Sequence, residues 1–220
     1  MLIADDVIEH LALHRLSYAA ARPIDRWHTL PGFLDQGVAA RIWRACQGAD
    51  FRTFCGYMRP GERGYRNEFH EPDPENTYIS VHRRSEQLDP LLRELEQAMG
   101  SEQTLEVLRE LTGEPLRRLG RVSTLTCWDP ESFATPHTDS GAAEGGARLV
   151  LWVWFTESWQ DSFGGMTGFQ WPSMAEPYTL LPEFNRAVLF RPFGGSFHWV
   201  TPITEQAPQK SRFTWTLHYC

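Results

Sequence analysis

The chain has 220 residues, 41% hydrophobic and 22% charged, which is the composition of a globular protein and not of a disordered segment. Its formal net charge of −7 disfavours binding to nucleic acid, which depends on clustered lysine and arginine. No apolar run approaches the roughly 20 residues of a membrane span, the cysteines show no CxxC spacing, and the first residues lack a signal-peptide pattern, so we expect a reduced, cytoplasmic protein without a membrane partner.

The first half of the chain predicts helices. Apolar residues at helical spacing predict one helix over residues 7–16 and another over 34–46. A third helix is predicted from Pro90 to residue 99, and a fourth between Ser101, which can cap its start, and Gly113, which can end it. Helices that follow one another before a strand region are suited to pack on one face of a sheet.

A polar stretch, residues 56–84, interrupts these helices and carries glycine, proline and arginine. A loop or irregular hairpin of this length in a compact domain is more often functional than filler. Arg59, Arg63 and Arg66, with Tyr65 among them, could meet a carboxylate or phosphate, so the segment is a candidate substrate-binding lid. The alternative is a solvated loop whose arginines pair with nearby acids, namely Glu62, Glu68, Glu71, Asp73 and Glu75.

From residue 119 the apolar pattern changes to the period of two that is typical of strands. Runs rich in β-branched and aromatic residues predict strands over 122–128, 148–156, 166–171, 186–191, 198–203 and 213–219. The second of these runs is apolar on both faces, so we expect it in the centre of a sheet. A helical half followed by many short strands indicates an α+β fold whose strands close into a sandwich or barrel.

Two histidines and a carboxylate in the second half form a candidate metal site. His137 and Asp139 are two positions apart, so on an extended strand both side chains point to the same face. His198 must come from a strand brought alongside. Two imidazoles and one carboxylate are the ligand set of the facial-triad non-haem iron(II) oxygenases. Each residue taken singly could instead be a core histidine or a turn residue.

Arg212 lies on the last predicted strand and offers a planar guanidinium, which can hold a carboxylate through two parallel hydrogen bonds. A surface arginine is the alternative. Thr214 is two positions further on, so its hydroxyl shares that face and could add a donor. His218 alternates with Thr214 and could face the same pocket, but a core position is the expectation.

The segments around these residues resemble the iron(II)/2-oxoglutarate dioxygenase superfamily, in particular its prolyl 4-hydroxylase-like branch. The resemblance runs in order over about residues 105–220 and includes the approach to His137, Trp159, the paired glycines Gly164-Gly165 and the strand before His198. It implies a double-stranded β-helix (jelly-roll) core over 119–220, with the N-terminal helices packed on one face. We expect one domain over 1–220, in which 1–118 supply mainly helical support and the substrate loop.

The resemblance also implies the cofactors. Iron(II) would be held by His137, Asp139 and His198, the cosubstrate 2-oxoglutarate would be held through its far carboxylate by Arg212, and dioxygen would complete the set. Relatives tend to carry tyrosine at the position of Trp128 and near the position of Trp154. The indole of Trp154 could donate its N–H in place of the tyrosine hydroxyl. Further cosubstrate contacts are therefore expected from Thr214, Trp154 and Trp128.

The implied reaction is hydroxylation of an aliphatic C–H bond, with succinate and CO2 as coproducts. Related halogenases lack the carboxylate ligand, so Asp139 favours hydroxylation, although desaturation and ring formation stay open. The compact chain favours a small-molecule, amino-acid or carrier-bound substrate, which can be anionic. The alternatives are prolyl-hydroxylase-like modification of a protein residue and a non-catalytic metal-binding or sensing jelly-roll protein. A nucleic-acid demethylase is disfavoured because residues 213–220 lack the further arginine of that branch.

Overall fold

The computed structural model describes residues 27–58, 78–85, 88–117, 123–137, 139, 147–192, 196–209 and 212–219. This part of the chain contains three α-helices, which are α1 (Gln36–Gly48), α2 (Pro90–Met99) and α3 (Glu102–Thr112). It also contains eleven strands, which are β1 (Trp27–Pro31), β2 (Arg52–Met58), β3 (Tyr78–Ser85), β4 (Thr124–Trp128), β5 (Phe133–His137), β6 (Leu149–Trp154), β7 (Thr167–Gln170), β8 (Tyr178–Leu180), β9 (Arg186–Phe190), β10 (Phe197–Val200) and β11 (Arg212–Tyr219). The helix predicted over residues 7–16 lies outside the described residues.

The three helices begin and end at residues suited to those positions. The side chain of Asp35 accepts a hydrogen bond from a backbone N–H in the first turn of α1, and Asp89 does the same for α2, whose first residue is proline. Ser101 caps α3 in the same way, and Gly113 ends α3 with a φ of 68°, the left-handed conformation that glycine adopts without strain. The three helices therefore follow the predicted order and, within a few residues, the predicted bounds.

Alternation along the central strands gives the sheet two different faces. In β6 the odd-numbered residues belong to the core shared with the helices, whereas the even-numbered residues belong to a second cluster that includes Phe169 and Trp171. In β11 the odd-numbered residues pack towards the helices, which leaves Arg212, Thr214 and His218 on the other, inner face. The expectation that the helices pack on one face of the sheet is confirmed.

The strands form one curled antiparallel sheet in the order β1-β9-β6-β11-β4-β3-β5-β10-β7-β8, with β2 paired to β3. Strand β3 joins the two halves, since residues 83–85 pair with β4 and residues 80–81 pair with β5. The sheet curls until Trp27 of β1 stacks on Phe169 of β7, with ring centroids 5.1 Å apart, and on Tyr178 of β8, at 4.7 Å. This is the predicted jelly-roll core.

The first half of the chain holds more strand than predicted. Strands β1, β2 and β3 all lie within residues 1–118, and β2 pairs with β3 along its whole length, from Arg52 opposite Arg84 to Met58 opposite Tyr78. The two ends of the polar stretch 56–84 therefore pair with each other as the arms of a hairpin. Whether a polar segment forms a strand depends on the strands beside it. The spacing of apolar residues along the sequence does not predict those partners. The predicted lid residues Arg59, Arg63, Tyr65 and Arg66 lie outside the described residues.

Asn185 ties the start of α1 to the sheet. It is 2% exposed, has a φ of 56°, and donates its backbone N–H to Trp154 O. Its side-chain Oδ1 accepts from Leu34 N at 2.9 Å, and its Nδ2 donates to Leu34 O at 2.6 Å. One buried amide thus satisfies both backbone groups of Leu34, and asparagine tolerates the left-handed conformation better than most residues.

We expect Asn185→Ala to lower the free energy of unfolding by about 2–4 kcal/mol, because both backbone groups of Leu34 lose their buried partner. Urea denaturation measures the change. Asn185→Gly loses the same hydrogen bonds but tolerates the positive φ, so it should destabilise by roughly 0.5–1 kcal/mol less than Asn185→Ala. A stability within 0.5 kcal/mol of the wild type for both variants would contradict the tethering role.

Candidate metal centre

Two neighbouring antiparallel strands place the three candidate ligands. His137 ends β5 and His198 lies directly opposite it in β10, with the ring centroids 4.1 Å apart. Asp139 follows two residues after His137, so its side chain comes to the same side. The three ligand atoms all lie within 4.8 Å of one another. The structure therefore brings together the three residues that the sequence predicts as ligands.

A hydrogen bond at Nδ1 fixes the tautomer of His137. Its Nδ1 lies 2.8 Å from the carbonyl oxygen of Thr135, which can only accept, so Nδ1 carries the proton and Nε2 offers a lone pair. His137 Nε2 is 4.0 Å from Asp139 Oδ1, and His198 Nε2 is 3.6 Å from Asp139 Oδ2. These distances exceed hydrogen-bond length, as expected for groups that converge on a shared ion.

The protonation states also suit a divalent metal. Burial, and then the neighbouring His137, lower the pKa of His198 to about 3, and burial lowers the pKa of His137. Burial by itself raises the pKa of Asp139, but His198, His218 and His137 together hold that pKa well below its ordinary range. At neutral pH the two imidazoles of the triad are therefore neutral and the carboxylate is ionised, which are the forms that bind a metal.

A third imidazole contacts the carboxylate. His218 Nε2 lies 3.3 Å from Asp139 Oδ2, and because an ionised carboxylate only accepts, the ring nitrogen donates. His218 stands on the inner face of β11 together with Arg212, and 34% of its side chain is exposed. The expectation of a core position for His218 was wrong. Its alternation with Thr214 was the signal for the inner face, but contact with Asp139 depends on the curl of the sheet.

Arg212 lies on the same inner face and is 1% exposed. Its Nε donates to Gly165 O at 2.8 Å, and its Nη1 and Nη2 donate to the hydroxyl oxygens of Thr214 (3.2 Å) and Thr167 (3.0 Å). Burial lowers the pKa of Arg212 to about 9, which still keeps the guanidinium charged at neutral pH. Within the described part of the chain none of its partners is a carboxylate.

Gly165 makes room for this arginine. It has a φ of 63°, and a Cβ atom there would lie 3.1 Å from Arg212 Cδ and 2.9 Å from Ile203 Cγ1. Steric crowding therefore explains why the second residue of the glycine pair Gly164-Gly165, which carries part of the family resemblance, has no side chain.

Two tryptophans lie on the strands that pair with β11, Trp128 opposite Arg212 and Trp154 opposite Thr214. The indole N–H of Trp154 is buried without an acceptor among the described residues, so it is open to a ligand. The indole N–H of Trp128 instead donates to Thr126 Oγ1 at 2.9 Å, and its ring lies 5.0 Å from Arg212 Cζ. A buried cation and an indole donor, both without an anionic partner in the described chain, fit a carboxylate ligand such as the far end of 2-oxoglutarate.

Comparison with known proteins identifies the core. Residues 123–219 match the model of the 2OG-Fe(II) oxygenase superfamily. A search of curated proteins finds no match. The described residues include no helix long and apolar enough to cross a membrane.

Solved structures with the same fold include three oxygenases. A prolyl hydroxylase from Trichoplax adhaerens, in complex with a peptide fragment of the hypoxia inducible factor oxygen degradation domain, is 14% identical, with a TM-score of 0.61 over 98% of this chain and 88% of that one. A 2OG-Fe(II) oxygenase family oxidoreductase from Burkholderia pseudomallei is 15% identical, with a TM-score of 0.63 over 93% and 90%. HygX from Streptomyces hygroscopicus, with nickel and 2-oxoglutarate bound, is 12% identical, with a TM-score of 0.53 over 96% and 85%. The family resemblance and the jelly-roll core predicted from the sequence are confirmed.

We expect the loss of the His218 hydrogen bond to weaken metal binding by about tenfold, because partners that orient a metal ligand typically contribute a factor of 10–100. Anaerobic calorimetric titration of His218→Phe with iron(II) measures this change. His218→Gln keeps an N–H donor of similar reach and should recover part of the affinity. Equal affinity in the wild type and the Phe variant would contradict an orienting role.

Proposed function

We propose that this chain, a 2OG-Fe(II) oxygenase, hydroxylates an aliphatic C–H bond of a small-molecule, amino-acid or carrier-bound substrate. The observation that carries the proposal is the convergence of two imidazoles and a carboxylate in a sheet whose inner face also carries a buried arginine. None of the described partners of that arginine is acidic. Neither feature is needed for folding alone, since a buried cation without an anion costs stability.

The chain's own residues take distinct roles in this proposal. His137, Asp139 and His198 would hold iron(II), and Arg212 with Thr214 would bind the far carboxylate of 2-oxoglutarate. Trp154 would donate its indole N–H to the same cosubstrate. When bound, iron(II) supplies the chemistry R–H + O2 + 2-oxoglutarate → R–OH + succinate + CO2.

The surroundings of the ligands would exclude water from this reaction. The His198 ring is 5% exposed and packs edge-on against Trp152 at 5.0 Å and Phe190 at 5.1 Å. Aromatic walls on that side lower the local dielectric and keep the imidazole in one orientation. Asp139 occupies one ligand position with a carboxylate, which supports hydroxylation over halogenation.

A second candidate is prolyl-hydroxylase-like modification of a protein residue. The observation in its favour is that a peptide-bound prolyl hydroxylase shares this fold over nearly the whole chain. HygX, whose structures include one with hygromycin B bound, shares the fold as well, so the fold alone does not choose between the two classes.

We expect the wild-type protein to form succinate from 2-oxoglutarate under air with iron(II). His137→Ala and Asp139→Ala should reduce this to background, because each removes a metal ligand. Succinate is measured by chromatography against panels of small acids, amino acids and proline-containing peptides. Arg41→Gln, an exposed change on α1, serves as the control. Iron binding without 2-oxoglutarate consumption across all panels would favour the non-catalytic metal-binding alternative.

We expect Arg212→Ala to raise the apparent KM for 2-oxoglutarate by roughly 10- to 100-fold, because hydrogen bonds to a charged group contribute about 1.5–3 kcal/mol. Arg212→Lys keeps the charge without the planar fork, so its KM should lie between those of the wild type and Arg212→Ala. Initial rates at varied 2-oxoglutarate give the KM, and the unfolding midpoint of each variant checks that the fold survives. An unchanged KM in a folded Ala variant would show that the cosubstrate binds elsewhere.

A further inference from the structure

We propose that Ser80 donates a hydrogen bond from its hydroxyl group to a carboxylate of 2-oxoglutarate, and that His82 and Arg84 hold the hydroxyl in that orientation. The three residues alternate along β3, so their side chains lie on one face of the strand. The inference rests on the proposed function, since it concerns the same cosubstrate. It adds a donor on β3 to the donors on β11 and β6.

Hydrogen bonds run in one direction along this face of β3. Arg84 Nε lies 2.9 Å from His82 Nε2, and because a guanidinium only donates, His82 Nε2 is an acceptor. Burial, and then the charge of Arg84, lower the pKa of His82 to about 3, so the neutral ring carries its one proton on Nδ1. His82 Nδ1 therefore donates to Ser80 Oγ, 2.9 Å away. The guanidinium at one end thus determines the direction of both bonds.

The hydroxyl proton of Ser80 must be donated to another group. The oxygen of Ser80 already accepts from His82, and the described residues provide no acceptor for the proton. Ser80 is 1% exposed, so bulk solvent does not provide one either. A buried donor without an acceptor costs stability, and a carboxylate ligand would remove that cost. Hydrogen bonds arranged head to tail also polarise one another, which makes this hydroxyl a stronger donor than an isolated serine.

The strand register connects Ser80 to the site of Arg212. Ser80 is opposite Ala134 of β5, which is opposite Val200 of β10. Val200 in turn is opposite Thr167 of β7. Side chains that stand opposite one another in antiparallel strands share a face of the sheet. Thr167 Oγ1 accepts from Arg212 Nη2 at 3.0 Å, so this row of side chains ends at the arginine that would bind 2-oxoglutarate.

His82 occupies the same part of the inner face. Its ring lies 4.7 Å from the Trp128 ring, and the Trp128 ring lies 5.0 Å from Arg212 Cζ. Arg212 is close enough that its charge contributes to the low pKa of His82. Trp128, Ala134 and Val200 belong to one buried cluster. The inner face of β3 therefore forms part of the wall around the Arg212 site.

The test titrates 2-oxoglutarate into the full-length protein loaded with nickel and follows binding by calorimetry, so no turnover is needed. Ser80→Ala removes the donor. Ser80→Thr keeps the hydroxyl, and its additional methyl group has small cross-strand neighbours, Gly56 and Ala134. Thr104→Ala is the matched control, since it removes a buried hydroxyl that donates to Ala98 O between α3 and α2. Unfolding midpoints check that each variant is folded.

A further variant tests the orienting role of His82. His82→Phe removes both ring nitrogens but keeps an aromatic ring for Phe54 and Trp128, whose rings lie 5.0 Å and 4.7 Å away. Because His82 acts through Ser80, the double variant Ser80→Ala/His82→Phe should bind 2-oxoglutarate no more weakly than Ser80→Ala alone. Nitrogen-15 NMR of the metal-free protein locates the ring proton of His82, which we expect on Nδ1.

We expect Ser80→Ala to weaken 2-oxoglutarate binding by roughly tenfold, as for the loss of a hydrogen bond to a charged group. His82→Phe should weaken binding by a smaller factor, whereas Ser80→Thr and Thr104→Ala should bind as the wild type does. Equal binding by the wild type and Ser80→Ala would overturn the proposal. A double variant whose loss equals the product of the two single losses, or a His82 ring proton on Nε2, would overturn it as well.

The same titrations separate this inference from the proposed function. If Arg212→Ala weakens 2-oxoglutarate binding and Ser80→Ala does not, only the role of Ser80 is overturned. If the folded wild type binds no 2-oxoglutarate, the proposed function is overturned together with that role.

Discussion

The pairing of β5 with β10 is the constraint on which the rest of the centre depends. His137 stands directly opposite His198, and a slip of one residue would turn one of the two rings to the opposite face of the sheet. The register shifts just beyond this pair, where Val200 stands opposite Ala134. A bulge at that point bends the strand, and bulges recur next to active sites because they re-aim side chains. Strand pairing therefore positions His137 and His198, and Asp139 is positioned by its place two residues after His137.

The two faces of the sheet divide stability from chemistry. Helices α1, α2 and α3 bury the odd-numbered side chains of β6 and β11, and this apolar core supplies most of the folding energy. The inner face can then carry groups that cost stability, including a buried arginine and an indole N–H without an acceptor in the described chain. Glu114 reinforces the join between the two layers, since its carboxylate pairs with Arg148 and Arg191 at the ends of two central strands.

Much of this arrangement follows from local sequence signals, and the remainder depends on long-range contacts. Caps and apolar spacing predicted α2 and α3, and the period of two predicted the central strands, because both signals are local. The sequence predicted a loop or irregular hairpin over residues 56–84, but not the bounds of β2 and β3, because their pairing is decided by neighbouring strands. His137, Asp139 and His198 were found as a pattern of ligand types. His218 was not, because it meets Asp139 only when β11 curls past the end of β5, and no spacing in the chain encodes that approach.

The closure of the sheet has a consequence for its dynamics. Strand β1 hydrogen-bonds to β9 and β8 to β7, and the two edges meet through stacked rings of Trp27, Phe169 and Tyr178. Ring stacking contributes about 0.5–1.5 kcal/mol a pair beyond burial, far less than a continuous ladder of backbone bonds. Among the described residues this seam is joined by side chains and not by a backbone ladder, so we expect it to open locally before the paired strands separate. Trp27, Phe169 and Trp152 belong to one aromatic cluster, and Trp152 packs against His198. We therefore expect opening of the seam to change the packing around the metal centre.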